Sequence, residues 1–212
     1  MRNIAVHPNA LPDPLFTELA RAAHEVGNER LGDGYATNFW FALEASPRNL
    51  VEEAIVVLRR LARPGPRCIG AEWWLGRLRQ GESLDLHFDR DLALERLEGR
   101  IVHPLRSSVL YLNSFPSSPT VVLEQVLGRD GRSLVPPCAK SGKSVRPAPN
   151  HYLVYPGNLL HGVVAQRAAR RTGGLRLTLL VNYWDQRPLA PICRDYDGSV
   201  YAALGRMLPR AA

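Results

Sequence analysis

The sequence predicts a fold that is mainly β with flanking α, an antiparallel sandwich or barrel with N-terminal helices packed on one outer face. Three observations predict it. Two segments of helical periodicity come first, Asp13–Leu31 and Ser46–Leu61. After Pro66, short β-like runs alternate with turn residues. One of these runs, Leu175–Trp184, is apolar on both faces apart from Arg176, Thr178 and Asn182, so its outer side needs cover that amphipathic helices can supply.

Each element has its own justification. In Asp13–Leu31, the residues Leu15, Phe16, Leu19, Ala20, Ala23 and Val26 follow a 3.6-residue period, and Asp13-Pro14 suits a helix start. In Ser46–Leu61, Ser46 can cap and Pro47 takes the first helical position. Val51, Ala54, Ile55, Leu58 and Leu61 form the stripe, and Arg63-Pro64-Gly65-Pro66 stops the helix. Strands are expected at Glu72–Leu78, Leu84–Phe88, Ser107–Leu112, Thr120–Leu127, Tyr152–Tyr155, Leu159–Ala165 and Leu175–Trp184. Breaks such as Asn113–Pro119 and Pro156-Gly157-Asn158 separate them. Gly128–Pro149, rich in Arg, Ser, Gly and Pro, reads as one long loop of the functional or mobile kind. A short helix is expected near Val200–Leu208. The 212 residues fit one structural domain in three parts: a helical extension over 1–66, a β core over 67–188 and a tail over 189–212.

Composition excludes several classes. Hydrophobic residues make up 45% and charged residues 22%, the balance of a soluble globular protein. No apolar run reaches the ~18 residues of a spanning helix, and Met1–Leu15 has no signal-peptide core, so a cytoplasmic protein without membrane contact is expected. The three cysteines, Cys68, Cys138 and Cys193, form no CxxC pair, which argues against a zinc ribbon or a disulfide scaffold. The net charge of +7 invites a nucleic-acid reading. Yet 25 of the 27 basic residues are Arg and they are dispersed, so coding bias explains the charge as well as a selected basic face does.

Three constellations carry chemistry. In a strand, residues i and i+2 share a face, so His87 and Asp89 can converge on one point. An imidazole and a carboxylate suit a divalent iron, and one more His would complete a two-histidine, one-carboxylate facial triad. Alone, the same residues also read as a solvated turn beside Asp85, Arg90 and Asp91. His161, which follows the Pro156-Gly157-Asn158 turn, is the best third ligand, and a structural histidine is the competing reading. Arg176 and Thr178 lie on the inward face of the long strand. A buried Arg needs a partner, no carboxylate lies nearby on that strand, and an anionic ligand would satisfy it; an Arg reaching out to the barrel mouth is the competing reading.

Taken in order, His87-x-Asp89, then His161, then Arg176-x-Thr178 on a long apolar strand resembles the Fe(II)/2-oxoglutarate-dependent dioxygenases. Residues Ser107–Asn113, Thr120–Glu124 and Val145–Tyr155 are similar to segments of the prolyl-hydroxylase-like branch, with Ser117-Ser118-Pro119 in place of the usual Gly-Gly. The resemblance spans about residues 70–185 and implies a double-stranded β-helix, a jelly-roll or cupin-like barrel. It implies that His87, Asp89 and His161 hold the iron and form the catalytic centre. Arg176 and Thr178 would bind the far carboxylate of 2-oxoglutarate, with Tyr111 and Asn113 near the cosubstrate.

The implied reaction consumes O2 and 2-oxoglutarate, releases succinate and CO2, and hydroxylates a C–H bond. Family halogenases carry a small residue where this chain has Asp89, which favours hydroxylation. A small-molecule or amino-acid-like substrate is expected, with a peptide or protein substrate as the alternative. Nucleic-acid demethylation ranks lower, because the second Arg of the demethylating branch is replaced by Asn182. A metal-binding cupin-like module without this chemistry is the non-enzymatic alternative. Gly128–Pro149, Trp73, Trp74 and Arg77 are expected to line the substrate entrance.

Overall fold

The computed structural model describes residues 4–25, 38–165, 174–190, 193–198 and 200–205. In chain order these form β1 (Ala5–His7), α1 (Asp13–Glu25), β2 (Asn38–Ala42), α2 (Leu50–Ala62), β3 (Gly70–Arg79), β4 (Leu84–His87), α3 (Leu92–Glu98), β5 (Arg106–Tyr111) and β6 (Thr120–Leu123). There follow β7 (Val126–Leu127), β8 (Leu134–Val135), β9 (Gly142–Val145), β10 (Tyr152–Pro156), β11 (Leu160–Val163), β12 (Leu175–Trp184) and β13 (Cys193–Asp195), with a 3-10 turn at Ala202–Gly205. A seven-stranded sheet runs β1-β10-β5-β12-β3-β2-β13 and a four-stranded sheet runs β4-β11-β6-β9. All their pairings are antiparallel except β13 with β2. No helix among the described residues is long and apolar enough to cross a membrane.

Strand alternation sorts the core into two layers. On β12, Leu177, Leu179, Val181 and Tyr183 face outward and pack with Leu19 and Ala22 of α1 and Val51, Ile55 and Leu58 of α2. This is the helical cover that the two-faced apolar strand requires. Inward, Val109, Tyr111, Leu153 and Tyr155 of the large sheet meet Val122 and Val145 of the small one. The space left between the sheets at this level becomes the pocket described below.

Local chemistry moves some boundaries. Helix α2 starts at Leu50 rather than at Ser46-Pro47, because Asn49 is the better cap. Its Oδ1 accepts from the N–H groups of Val51 and Glu52, both at 3.0 Å. In return the Glu52 carboxylate accepts from the Arg48 N–H at 2.7 Å. The helix ends at Arg63, in the left-handed conformation (φ 46°), immediately before Pro64. The stretch Gly128–Pro149 is not one loop: it contains β8, paired with β7, and β9, the edge of the small sheet. Three of the four residues of β9 are exposed, so no apolar alternation announced it. Strands β1 and β2 and the seven-residue α3 were also not foreseen, so 1–66 supplies two strands as well as helices. The C-terminal parts of the expected helices at Asp13–Leu31 and Val200–Leu208 lie outside the described residues.

Candidate active site

The two sheets close on a pocket of about 310 Å³. Strand β4 delivers His87 and the residues just after it deliver Asp89, while the neighbouring β11 places His161 directly opposite His87 in register. One ligand-capable atom from each of these three residues lies within 4.8 Å of the other two. The His161 Nε2 is 3.4 Å from Asp89 Oδ2, and the His87 Nε2 is 3.7 Å from Asp89 Oδ1. The two imidazole rings are 4.4 Å apart.

Hydrogen bonds aim these groups. Nδ1 of His87 is 2.8 Å from the Asp85 carbonyl, and Nδ1 of His161 is 2.9 Å from the Leu159 carbonyl. A carbonyl can only accept, so each Nδ1 carries a proton and Nε2 is the ring atom turned toward Asp89, free to serve as the ligand atom once its own proton is lost. Ser107 Oγ donates to Asp89 Oδ2 at 2.7 Å, and His103 Nδ1 donates to the Asp89 backbone carbonyl at the same distance.

Electrostatics agree with the geometry. Burial works against charge on Asp89, but His161, His87 and the Ser107 hydroxyl together hold its carboxyl well below the usual carboxylate range. Burial, with His161 beside it, pushes His87 down and favours its neutral ligand form. Burial also opposes charge on His161, yet Asp89 outweighs it and raises this imidazole. A metal cation would take the place of that proton. Two neutral nitrogens and one ionised carboxylate, converging from one side, fit a divalent iron and leave coordination positions open.

Farther along the pocket wall, Arg176 is buried on the inward face of β12. Its Nη2 donates to Thr120 Oγ1 at 2.7 Å, and its guanidinium lies 5.4 Å from the centre of the Tyr111 ring. Tyr111 donates to the same Thr120 oxygen at 2.8 Å.

Comparison with solved structures adds three neighbours. A prolyl-4-hydroxylase of Pseudomonas putida superposes with a TM-score of 0.53 at 18% identity, over 88% of this chain and 90% of that one. HygX of Streptomyces hygroscopicus, crystallised with iron bound, gives 0.52 at 14% identity over 96% and 95%. The non-heme alpha-ketoglutarate-dependent carbocyclase SnoK, from nogalamycin biosynthesis, gives 0.54 at 14% identity over 86% and 79%. The chain has the fold of the Fe(II)/2-oxoglutarate-dependent oxygenases. No family model matches the sequence, and no curated protein does.

Within this oxygenase fold the expected residues separate. His87, Asp89, His161 and Arg176 share the pocket wall. Thr178 faces the same interior but does not line the pocket; its hydroxyl donates to the Gly76 carbonyl at 3.4 Å. Tyr111 is fully buried behind Arg176 rather than in the pocket. Asn113 is spent on the backbone of β12, donating to the Leu175 carbonyl at 2.7 Å and accepting from the Leu177 N–H at 3.0 Å.

The expected entrance residues divide by strand alternation. Trp74 lines the pocket. Trp73 and Arg77 do not: they point to the helix layer, where Trp73 packs on Phe39 and Tyr196 and Arg77 donates to the Ala23 carbonyl at the end of α1. Gly128–Pro149 contributes no residue to the pocket lining.

Sequence reasoning missed Ser107, Thr120, Tyr155 and Glu72. Ser107 and Tyr155 were within reach of strand alternation on β5 and β10. Thr120 and Glu72 needed the pairing of strands distant in sequence.

Proposed function

We propose that the protein is an Fe(II)- and 2-oxoglutarate-dependent dioxygenase that hydroxylates a C–H bond of a small-molecule or amino-acid-like substrate. One observation carries the reading: His87, Asp89 and His161 converge within 4.8 Å on the wall of a pocket that also holds the buried Arg176. A metal cupin needs the first feature and not the second. The pocket, at about 310 Å³, sits at the small end of ligand sites and suits a compact substrate.

His87, Asp89 and His161 would hold the iron, and Arg176 with Thr120 would take the far carboxylate of 2-oxoglutarate. When bound, iron and 2-oxoglutarate would supply oxygen activation, with O2 and 2-oxoglutarate consumed, succinate and CO2 released and one oxygen atom delivered to the substrate carbon. The chain's own part is positioning. Asp85 and Leu159 fix the imidazole tautomers, Ser107 orients the Asp89 carboxylate, and Tyr111 backs the Arg176 guanidinium. Val109, Leu180 and Trp74 line the pocket between the polar groups and limit water there.

The test is an anaerobic optical titration with Fe(II) and then 2-oxoglutarate. A weak visible charge-transfer band that needs both additions is expected. Asp89→Ala should abolish it, and Arg176→Ala should weaken 2-oxoglutarate binding by about 10-fold or more, the cost of a lost charge-assisted pair. A folded wild type without the band sinks the oxygenase reading.

A further inference from the structure

The pocket has a second polar end that the chemistry above leaves unused. On β12, Asn182 lies six residues beyond Arg176 on the same inward face, about 20 Å along the strand. Directly across from Asn182, in register on β3, is Glu72. Both line the pocket.

Glu72 is only 7% exposed. Asn38 Nδ2 donates to its Oε1 at 2.7 Å, and Trp184 Nε1 donates to its Oε2 at 3.1 Å. These two donors pin the carboxyl and leave each oxygen with further acceptor capacity. The Asn182 side chain, in a residue only 3% exposed, lines the same space. Arg90, which also lines this wall, already pairs with Glu95 at 3.1 Å.

Resting on the oxygenase reading, we infer that Glu72 and Asn182 form a substrate subsite for a cationic nitrogen, a primary ammonium or a guanidinium. Such a group donates to the remaining lone pairs of Glu72 and to Asn182 Oδ1, and it supplies the positive charge that a buried carboxylate lacks. Burial, reinforced by Asp89 and Asp91, pushes the Glu72 carboxyl up to about 7. An arriving cation therefore meets a group that ionises readily near neutrality. Arg176 serves an anion at one end and Glu72 a cation at the other, so cosubstrate and substrate are sorted by charge. The substrate class narrows to amines and amino-acid-like molecules that present a cationic nitrogen to this carboxyl.

The experiment uses the protein loaded anaerobically with Fe(II) and 2-oxoglutarate. Pentylammonium, pentan-1-ol and pentanoate are titrated separately by calorimetry at pH 8. Pentylammonium should bind about 10-fold more tightly than pentan-1-ol, the worth of one charge-assisted hydrogen bond, and pentanoate should bind least. Glu72→Gln should erase the ammonium preference, and Asn182→Leu should reduce it, in protein shown folded by near-ultraviolet circular dichroism. Equal binding of the three probes overturns the proposal, as does a preference that survives both substitutions. If Glu72→Gln does not fold, the wild-type ranking and Asn182→Leu decide alone. The charge-transfer band separates the two readings. A normal band without ammonium preference overturns only the subsite. A preference without any band supports the subsite and removes the oxygenase chemistry.

Discussion

Asp89 and Glu72 are both buried carboxyls in one pocket, and their surroundings drive them in opposite directions. Asp89 faces two imidazoles and a hydroxyl donor and stays ionised. Glu72 has only neutral donors, from Asn38 and Trp184, and two like charges in its vicinity, so it holds its proton up to about 7 against an ordinary 4.5. That gap has a sign and a size. Below about 4.5 both folded and unfolded chains carry the proton and Glu72 contributes nothing to pH dependence. Between 4.5 and 7 the unfolded chain releases it first, so stability falls as pH rises. Above 7 the full penalty, roughly 3 kcal/mol, is in place. Glu72→Gln should therefore stabilise the metal-free protein by about 1–2 kcal/mol at pH 8, after one hydrogen bond of about 1 kcal/mol is lost. The gain should vanish at pH 5. Urea unfolding at the two pH values checks this, and a loss of stability at pH 8 would contradict it. A side chain that costs stability at neutral pH points to a role in binding.

At the scale of the element, the metal site depends on how closely β11 approaches β4. His161 and His87 are opposed across that pair, and Gly162 makes the approach possible. A Cβ on Gly162 would lie 2.7 Å from the Leu84 carbonyl oxygen and 3.0 Å from that of Asp85, and backbone atoms cannot swing aside. Gly162→Ala should push β4 away from β11. The expected cost is about 1–3 kcal/mol of stability, with Ni(II) affinity reduced by about 10-fold or more through misplacement of His87. Calorimetric Ni(II) titration of the folded variant tests this; unchanged affinity would show that the strand pair is not what sets the ligand geometry. The Asp85 carbonyl that crowds Gly162 also fixes the His87 tautomer, so one close contact serves both packing and orientation.

Across the whole molecule the large sheet divides two functions. Its inner face carries the pocket, and its outer face rests on α1 and α2 through one continuous core. Trp73 belongs to the outer side, fully buried 4.6 Å from the Phe39 ring. Trp73→Ala should cost about 3–5 kcal/mol of stability while leaving 2-oxoglutarate affinity within about twofold in the folded protein, because 1.4 kcal/mol would be needed to shift it tenfold. Thermal unfolding and the charge-transfer titration read the two effects separately. A large loss of cosubstrate affinity would place Trp73 on the functional side after all.

The sequence by itself determined the layer order and the chemistry-bearing spine. Period 3.6 near the N-terminus, period 2 after Pro66 and the two-faced apolar Leu175–Trp184 run are local signals, and that run coincides with β12 end to end. The i, i+2 spacing of His87 and Asp89 and the lone Arg176 inside an apolar strand are legible for the same reason: each is written in consecutive residues. Only the tertiary structure decided what those residues meet. Pairing of strands distant in sequence brings His161 against His87 and Asn182 against Glu72, and packing of one sheet on the other brings Thr120 against Arg176 and Ser107 against Asp89, pairs separated by up to 110 positions. Alternation could tell that Trp73 and Trp74 point to opposite faces, but not which face held the pocket. Registers between distant strands are settled by the global packing of two sheets and a helical layer, and no window of local sequence contains that information.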